Sequence, residues 1–276
     1  CAIEWFPLGE RGVFALDEPY TRHGEGYHMK RTLECNSVGI FNPYCGEAVG
    51  MGQHGITISQ GQPYLFGMVV KTQESVKFTV SLTDRTGKNV YCRATSVGGG
   101  DDWTRLEVEL TPQAADSDAD LRICWENAGY VCVGAVSLLP KDHFHGMRRD
   151  VVAAMKDLGI KVLRWPGGNF AGEFNWMDGL LPADMRAPFQ SYLGLETQPH
   201  TMGYDFSEMN TDDFIALCRE IGAEPFITIN PCWNTPDENA AWVEYCNGDV
   251  STPYGKLRAN RGHQEPYNVQ FWSLGN

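Results

Sequence analysis

The sequence lacks the features that mark several large classes of protein. It contains no run of eighteen apolar residues, so no membrane-spanning helix is expected. Basic residues are few, since 22 lysines and arginines stand against 35 aspartates and glutamates and give a net charge of −13. That balance argues against binding to nucleic acid or to an anionic membrane surface. No glycine-rich phosphate-binding fingerprint follows a predicted strand, so a nucleotide-binding Rossmann fold is not expected either.

The nine cysteines include no C-x-x-C pair and are scattered along the chain. This spacing is typical of reduced thiols rather than of a disulfide framework, and it predicts a cytoplasmic protein. The chain begins at Cys1 and shows no targeting segment. We therefore expect a fragment without its native N-terminus, which leaves secretion open as the alternative. A homo-oligomer is compatible with the sequence.

The first half of the chain has the pattern of short strands separated by turns. Apolar and polar residues alternate or cluster at residues 55–59, 64–70, 76–82, 103–110, 121–125 and 131–139. Turn sequences such as Gly61-Gln62-Pro63 interrupt them. Several short strands with turns between them predict an N-terminal, jelly-roll-like β-sandwich, which we place at residues 1–142.

The second half changes to alternating helices and strands. The first predicted helix buries Met147, Val151, Met155 and Leu158 on one face and ends at Gly159. Strands are predicted at 161–165, 225–230 and 269–274, with a helix capped by Thr211 and another at 237–246. This order predicts a parallel sheet, and we interpret residues 143–276 as the first part of a (β/α)8 barrel. A whole barrel needs about 250 residues.

The carboxyl ends of the strands are the expected place for functional residues. They carry Arg164, Asn169 and Asn276, and amide side chains suit sugar hydroxyls because they both donate and accept hydrogen bonds. The alternative is that 166–168 forms a tight turn and that the asparagines cap helices. Trp176 and Trp233 lie on loops at the same end and either stack on sugar or pack beneath the loops. No metal site and no cofactor are predicted, because the histidines lack suitable partners.

Three motifs in the second half resemble glycoside hydrolase family 51, whose best-known members are α-L-arabinofuranosidases. They are Leu-Arg-Trp-Pro-Gly-Gly-Asn-Phe at 163–170, Ala-Trp-Val-Glu-Tyr-Cys-Asn at 241–247, and Glu-Pro-Tyr-Asn-Val at 265–269 leading into Trp-Ser-Leu-Gly-Asn at 272–276. The first half resembles, more loosely, the carbohydrate-binding-module-like sandwich of one branch of that family. That likeness depends on Trp5, the turn at 61–64 and the segment at 136–140.

The resemblance implies a retaining hydrolase that acts on arabinose-containing oligo- or polysaccharide through two glutamates. The acid/base glutamate is expected directly after Asn276 and the nucleophile several strands later, so neither catalytic residue lies within the chain. Asn276 is implied to hold the sugar 2-hydroxyl, Arg164 to lie at the base of the site and Asn169 to contact substrate. We therefore expect residues 1–276 alone to be inactive.

Two other functions remain open at this stage. The same family includes endo-acting β-glucanases and xylanases, for which an open groove rather than a deep pocket is expected. A non-catalytic carbohydrate-binding protein is the alternative if the native chain ends at Asn276. The sequence following Asn276 in the gene distinguishes these functions.

Overall fold

The computed structural model describes residues 5–9, 13–16, 38–172, 174–186, 189–190, 204–205, 208–232 and 234–276. Contacts divide the chain into two compact units, and the division falls between His143 and Phe144. In these ranges no helix has both the length and the apolar character needed to cross a membrane.

Where the structure describes the first unit, ten strands form two five-stranded sheets. The strands are β1 (Trp5–Leu8), β2 (Val13–Leu16), β3 (Val38–Asn42), β4 (Val49–Ile58), β5 (Tyr64–Thr72), β6 (Val76–Thr83), β7 (Val90–Gly98), β8 (Thr104–Leu110), β9 (Asp116–Trp125) and β10 (Gly129–Pro140). The sheet orders are β1-β4-β9-β6-β7 and β2-β3-β10-β5-β8, and all pairings are antiparallel. The predicted β-sandwich is confirmed.

One apolar core is shared by the two sheets of this unit. Alternate residues of β5, such as Phe66 and Met68, and of β6, such as Phe78 and Val80, point into it. A period of two places every second side chain on one sheet face, which is why these strands could be predicted from sequence. Edge strand β7 was missed because none of its residues is fully buried and its exposed side chains include Val90 and Val97 beside Arg93 and Thr95. Apolar residues therefore do not mark the side of the strand that faces the core.

The described residues of the second unit form a parallel sheet and four α-helices. Strands β11 (Val162–Trp165), β14 (Glu224–Ile229) and β15 (Phe271–Leu274) pair in parallel in that spatial order. The helices are α1 (Arg149–Asp157), α2 (Thr211–Ile221), α3 (Pro236–Asn247) and α4 (Pro253–Asn260). Two-residue strands β12 (Phe189–Gln190) and β13 (Tyr204–Asp205) form a separate antiparallel pair. The predicted alternation of helices with parallel strands is confirmed, and α4 is the helix that the sequence pattern missed.

The buried face of α1 differs from the predicted one. Val152 is buried and packs with Met155 against Leu217 of α2, whereas Val151 and Leu158 are exposed. The chosen spacing of 147, 151, 155 and 158 was therefore wrong in two of its four positions. A helix of nine residues has too few turns for periodicity alone to choose between adjacent apolar stripes.

The cap of α2 also lies one residue before the predicted one. The side chain of Asn210 accepts a hydrogen bond of 2.7 Å from the backbone N–H of Asp213. Thr211, the predicted cap, is instead fully buried and its hydroxyl accepts a hydrogen bond from the Trp242 indole. Both residue types are good caps, so the sequence could not decide between neighbours.

A buried carboxylate joins the helices of the second unit. Asp212 in the first turn of α2 accepts hydrogen bonds from the hydroxyls of Tyr245 and Tyr267, at 2.7 and 2.8 Å, and from Arg261 Nε at 3.0 Å. Burial, together with the Asp212 charge, raises the pKa of both phenols above the ordinary value. This cluster fixes α2 to α3 and to the chain leading into β15.

Candidate functional site

The carboxyl ends of the three parallel strands define one edge of the sheet. Trp165, Ile227 and Trp272 lie in register across it, and β14 and β15 continue to Ile229 and Leu274. Helices α2 and α3 cover one face of this sheet, where Trp165 and Ile227 pack into the helical core. Residues of the opposite parity, including Arg164, point to the other face.

Arg164 and Asn276 meet at this edge, as the sequence predicts. Arg164 Nη2 donates a hydrogen bond of 3.0 Å to Asn276 Oδ1, although the two residues belong to segments on either side of β14. Both side chains are exposed. The guanidinium also lies close to the backbone of Gly167, since a Cβ built on that residue would be 3.6 Å from Arg164 Nη2. Because Arg164 donates to the amide oxygen, the amide nitrogen is the group of the Asn276 side chain that can act as a donor.

The middle strand ends in an asparagine with a different part in the structure. Asn230 is 1% exposed, and its side chain accepts a hydrogen bond from Cys232 N and donates one to Phe174 O. Its amide is thus used to hold backbone and is turned away from solvent. The sequence shows that an asparagine ends this strand, but it does not distinguish an exposed amide from a buried one.

The structure corrects the expectation that Trp176 stacks on sugar. Its side chain is fully buried, and its ring stacks on that of Trp242 with 6.2 Å between centroids and 7° between planes. The indole N–H donates to Glu238 O at 3.1 Å. With one neighbour on the ring and another on the nitrogen, Trp176 packs beneath its loop, which was the alternative.

The other two candidates lie partly or wholly outside the described residues. Trp233 falls in a gap. Asn169 belongs to a short 3-10 turn, Gly168–Gly172, directly after the end of β11, but its side chain lies outside the described part. Their contact with substrate stays a prediction.

Cys232 is an exposed thiol at the same edge, which sequence reasoning did not single out. Its sulfur would lie 3.4 Å from a Cβ on Gly172, so the loop after β14 meets the turn after β11. In the described ranges no group of three His, Cys, Asp or Glu side chains could hold a metal ion.

Arg186 fixes the long loop between β11 and α2 through the backbone. Its guanidinium donates to Leu181 O at 2.9 Å and to Glu208 O at 2.7 Å, so it joins two segments of that loop that are 27 residues apart in sequence. Burial lowers the pKa of this arginine.

Comparison with known proteins connects the second unit to the arabinofuranosidases. Residues 154–276 match the family model described as alpha-L-arabinofuranosidase 1 domain. A probable α-L-arabinofuranosidase C of Aspergillus terreus is 43% identical over 139 residues, which are 50% of this chain and 26% of that protein. An intracellular exo-α-L-arabinofuranosidase of Bacteroides ovatus is 36% identical over 149 residues, or 54% of this chain and 27% of that protein. The chain spans about a quarter of the length of these curated relatives.

A solved structure extends the likeness to the fold of the whole chain. An arabinose-bound family 51 α-L-arabinofuranosidase superposes with a TM-score of 0.79 over 100% of this chain and 47% of that one, at 18% identity. The resemblance to glycoside hydrolase family 51 is thereby confirmed, with the sequence likeness in the second unit and the fold likeness throughout.

Proposed function

We propose that this chain is part of a retaining α-L-arabinofuranosidase that releases terminal arabinofuranosyl residues from arabinan or arabinoxylan. The observation that carries the proposal is the Arg164–Asn276 hydrogen bond at the carboxyl edge of a parallel sheet. The match of residues 154–276 to an arabinofuranosidase domain supplies the substrate class. The exo-acting, intracellular relative from Bacteroides ovatus favours terminal release and a cytoplasmic location.

In this proposal the described residues bind and orient the sugar, and the two glutamates are supplied by sequence beyond Asn276. Arg164 holds the amide oxygen of Asn276, so that the amide nitrogen donates to the arabinose 2-hydroxyl. Contacts to that hydroxyl strengthen as the oxocarbenium-like transition state forms. The acid/base glutamate follows Asn276 directly, and the nucleophilic carboxyl stands about 5 Å from it, as retention requires.

We also propose that the parallel sheet is part of a (β/α)8 barrel over residues 143–276 and beyond, preceded by a sandwich over 1–142. In the described ranges β11 and β15 each have one paired edge only. Val162 and Phe271 are about half exposed and Leu274 is 82% exposed. Apolar side chains beside unpaired strand edges are stabilised when further strands and helices cover them.

The experiment compares residues 1–276 with the longer protein encoded by the same gene. On an aryl α-L-arabinofuranoside the longer protein is expected to turn over, whereas residues 1–276 are expected to show none. NMR of the first product should give the anomer with retained configuration. An inverted first product, or turnover by residues 1–276, would refute the proposed mechanism.

The products from polymer separate exo from endo action. Arabinan or arabinoxylan should yield free arabinose from the start of the reaction. Oligosaccharides of β-glucan or xylan as first products would favour the endo-acting alternative. Binding of polymer without any hydrolysis by the longer protein would favour a carbohydrate-binding protein.

A further inference from the structure

Asn230 occupies the point where the middle strand of the parallel sheet ends. It is 1% exposed, its Oδ1 accepts a hydrogen bond of 3.0 Å from Cys232 N, and its Nδ2 donates one of 3.1 Å to Phe174 O. Its own carbonyl accepts from Asn239 Nδ2 at 2.8 Å. One residue thus joins the loop after β14, the segment after β11 and the first turns of α3.

On the β15 side, Asn230 is followed by a residue that packs against the segment carrying Asn276. A Cβ on Gly275 would lie 3.1 Å from Pro231 Cγ, and Gly275 N donates to Ile229 O at 3.1 Å. Gly275 has φ +80°, a conformation that favours glycine. The direction in which Asn276 leaves β15 is therefore set by the end of β14.

On the β11 side, Asn230 reaches the neighbour of Arg164. Phe174, whose carbonyl it holds, is buried and its ring lies 4.8 Å from that of Trp165. Trp165 directly follows Arg164 in β11. The hydrogen bond of Asn230 to Phe174 thus connects the end of the middle strand to the strand that carries the arginine.

The Arg164–Asn276 hydrogen bond has to span the middle strand. Strands β11 and β15 lie two strand spacings apart, about 9.6 Å at 4.8 Å for each spacing. A hydrogen bond across that width forms only if both outer strand ends are held at the correct separation and height. Asn230 is bonded towards one of them and, through Pro231, packed towards the other.

We propose that Asn230 is a positioning residue for the hydrolysis, acting through Asn276. It fixes the loops on both sides of β14 so that Arg164 can hold the Asn276 amide with its nitrogen directed at the sugar 2-hydroxyl. The role rests on the proposed function. The competing account is that Asn230 stabilises the fold alone, as any buried amide with two backbone partners does.

Asn247 provides a matched control for that competing account. It too makes two side chain–backbone hydrogen bonds, accepting from Val269 N at 2.8 Å and donating to Val269 O at 2.9 Å. Those bonds lie before β15, at the opposite end of the sheet from Asn276. Loss of the Asn247 amide should affect stability without affecting the orientation of Asn276.

The experiment is a double-mutant cycle in the longer protein, with Asn230→Ala, Asn276→Ala and the pair, and with Asn247→Ala as control. We expect Asn230→Ala to lower kcat about 10-fold or more with little change in KM, within the roughly 100-fold that a 1 Å displacement can cost. The double variant should be no slower than Asn276→Ala, because both losses pass through one contact. Asn247→Ala should lower Tm and leave kcat unchanged. Losses that multiply in the double variant, or equal kinetics for the Asn230 and Asn247 variants, would overturn the proposal.

Pro231→Ala tests the same connection at an exposed residue if Asn230→Ala does not fold. This change removes the ring packed on Gly275, so kcat should fall by a smaller factor than in Asn230→Ala. In a variant that already carries Asn276→Ala, adding Pro231→Ala should not lower kcat further. An unchanged kcat would overturn the positioning role. A longer protein without arabinofuranosidase activity would refute the proposed function and this role together, whereas an active one with multiplying losses would refute the role alone.

Discussion

At the scale of single residues, the site depends on which atom of an amide is already occupied. Asn230 and Asn276 are both asparagines at strand ends, and the sequence treats them alike. The structure separates them, because Asn230 is buried with both amide atoms bonded to backbone, while Asn276 is exposed and bonded by its oxygen. Position at a strand end could be predicted from sequence, but the use of each amide depends on neighbours distant in the chain.

Asn276→Ala in the longer protein is expected to lower kcat by roughly 100-fold, the scale for losing one well-placed donor to a transition state. KM should change less, because the 2-hydroxyl contact is strongest in the transition state. Steady-state kinetics on an aryl arabinofuranoside measure both constants. Gln270→Ala, which removes an exposed amide just before β15, should leave them unchanged. If Asn276→Ala raised KM and left kcat unchanged, the assigned contact with the 2-hydroxyl would be contradicted.

Thiol labelling should distinguish the two exposed cysteines among the described residues from the two buried ones. Cys232 and Cys45 are exposed and should react first, whereas Cys218 and Cys246 are buried and should react only on unfolding. Burial raises the pKa of Cys218 to about 12 and also raises that of Cys246, which lowers their thiolate fraction. Labelling followed by peptide mass spectrometry measures the order.

Arabinose should slow the labelling of Cys232 but not that of Cys45, because only Cys232 lies at the carboxyl edge of the parallel sheet. If Cys232 were labelled at the same rate with and without saturating arabinose, the proposed sugar site at this edge of the sheet would be contradicted.

At the scale of elements, periodicity predicted most strands and three of the four helices, and it failed in detail where two choices were nearly equal. In α1, Val152 is buried in place of the predicted Val151, and the cap of α2 lies one residue before the predicted one. In both cases a contact with another element decided the outcome, namely α2 for Val152 and Trp242 for Thr211. Such contacts join elements that are distant in the chain, so the local sequence pattern does not reveal them.

The corrected face of α1 gives a test within one helix. Val152→Ala should reduce the free energy of unfolding by about 2 kcal/mol, since it leaves a cavity between α1 and α2. Val151→Ala, the same change at the neighbouring exposed position, should cost only a few tenths of that. Urea unfolding of residues 1–276 and both variants measures the difference. If Val151→Ala lowered the free energy of unfolding more than Val152→Ala, the face predicted from the sequence would be the buried one.

The tyrosines around Asp212 should make the free energy of unfolding fall as the pH becomes alkaline. Their pKa is raised in the folded protein, so their contribution is complete below the unfolded value of about 10 and is lost progressively as the pH rises above it. The free energy of unfolding should therefore fall more steeply above pH 10 in the wild type than in Tyr267→Phe. Tyr44→Phe, at an exposed position, should keep the wild-type slope. Identical slopes for all three proteins would contradict the role of the cluster.

At the scale of the whole molecule, composition and the change of period separated a strand-rich half from a helix-and-strand half. The sandwich could be recognised because its strands alternate cleanly, and the parallel sheet because helices intervene between its strands. The closure of that sheet into a barrel could not be derived from three strands. It depends on further strands pairing with β11 and β15.

The unpaired edges predict a difference between residues 1–276 and the longer protein. Exposed Val162, Phe271 and Leu274 should bind the dye ANS in residues 1–276, and the longer protein should bind less because further elements cover them. Leu274→Asn should reduce dye binding by residues 1–276. Val97→Asn changes another exposed apolar side chain, on edge strand β7 of the sandwich, and should reduce dye binding less. Equal dye fluorescence for the short and long proteins would contradict the proposed continuation of the sheet.

The hydrogen bonds of Asn230 to Cys232 N and Phe174 O also bear on how substrate preference can evolve. Both partners are main-chain atoms, which persist for any residue other than proline at position 232 and for any residue at position 174. Residue 232 can therefore change its size or polarity while the loop keeps its course at the carboxyl edge of the parallel sheet. In the proposed arabinofuranosidase, a saturation library at Cys232 should yield folded enzymes with altered preference for the group attached to arabinose. Substitutions at this position could then change substrate preference without compensating mutations elsewhere in the fold.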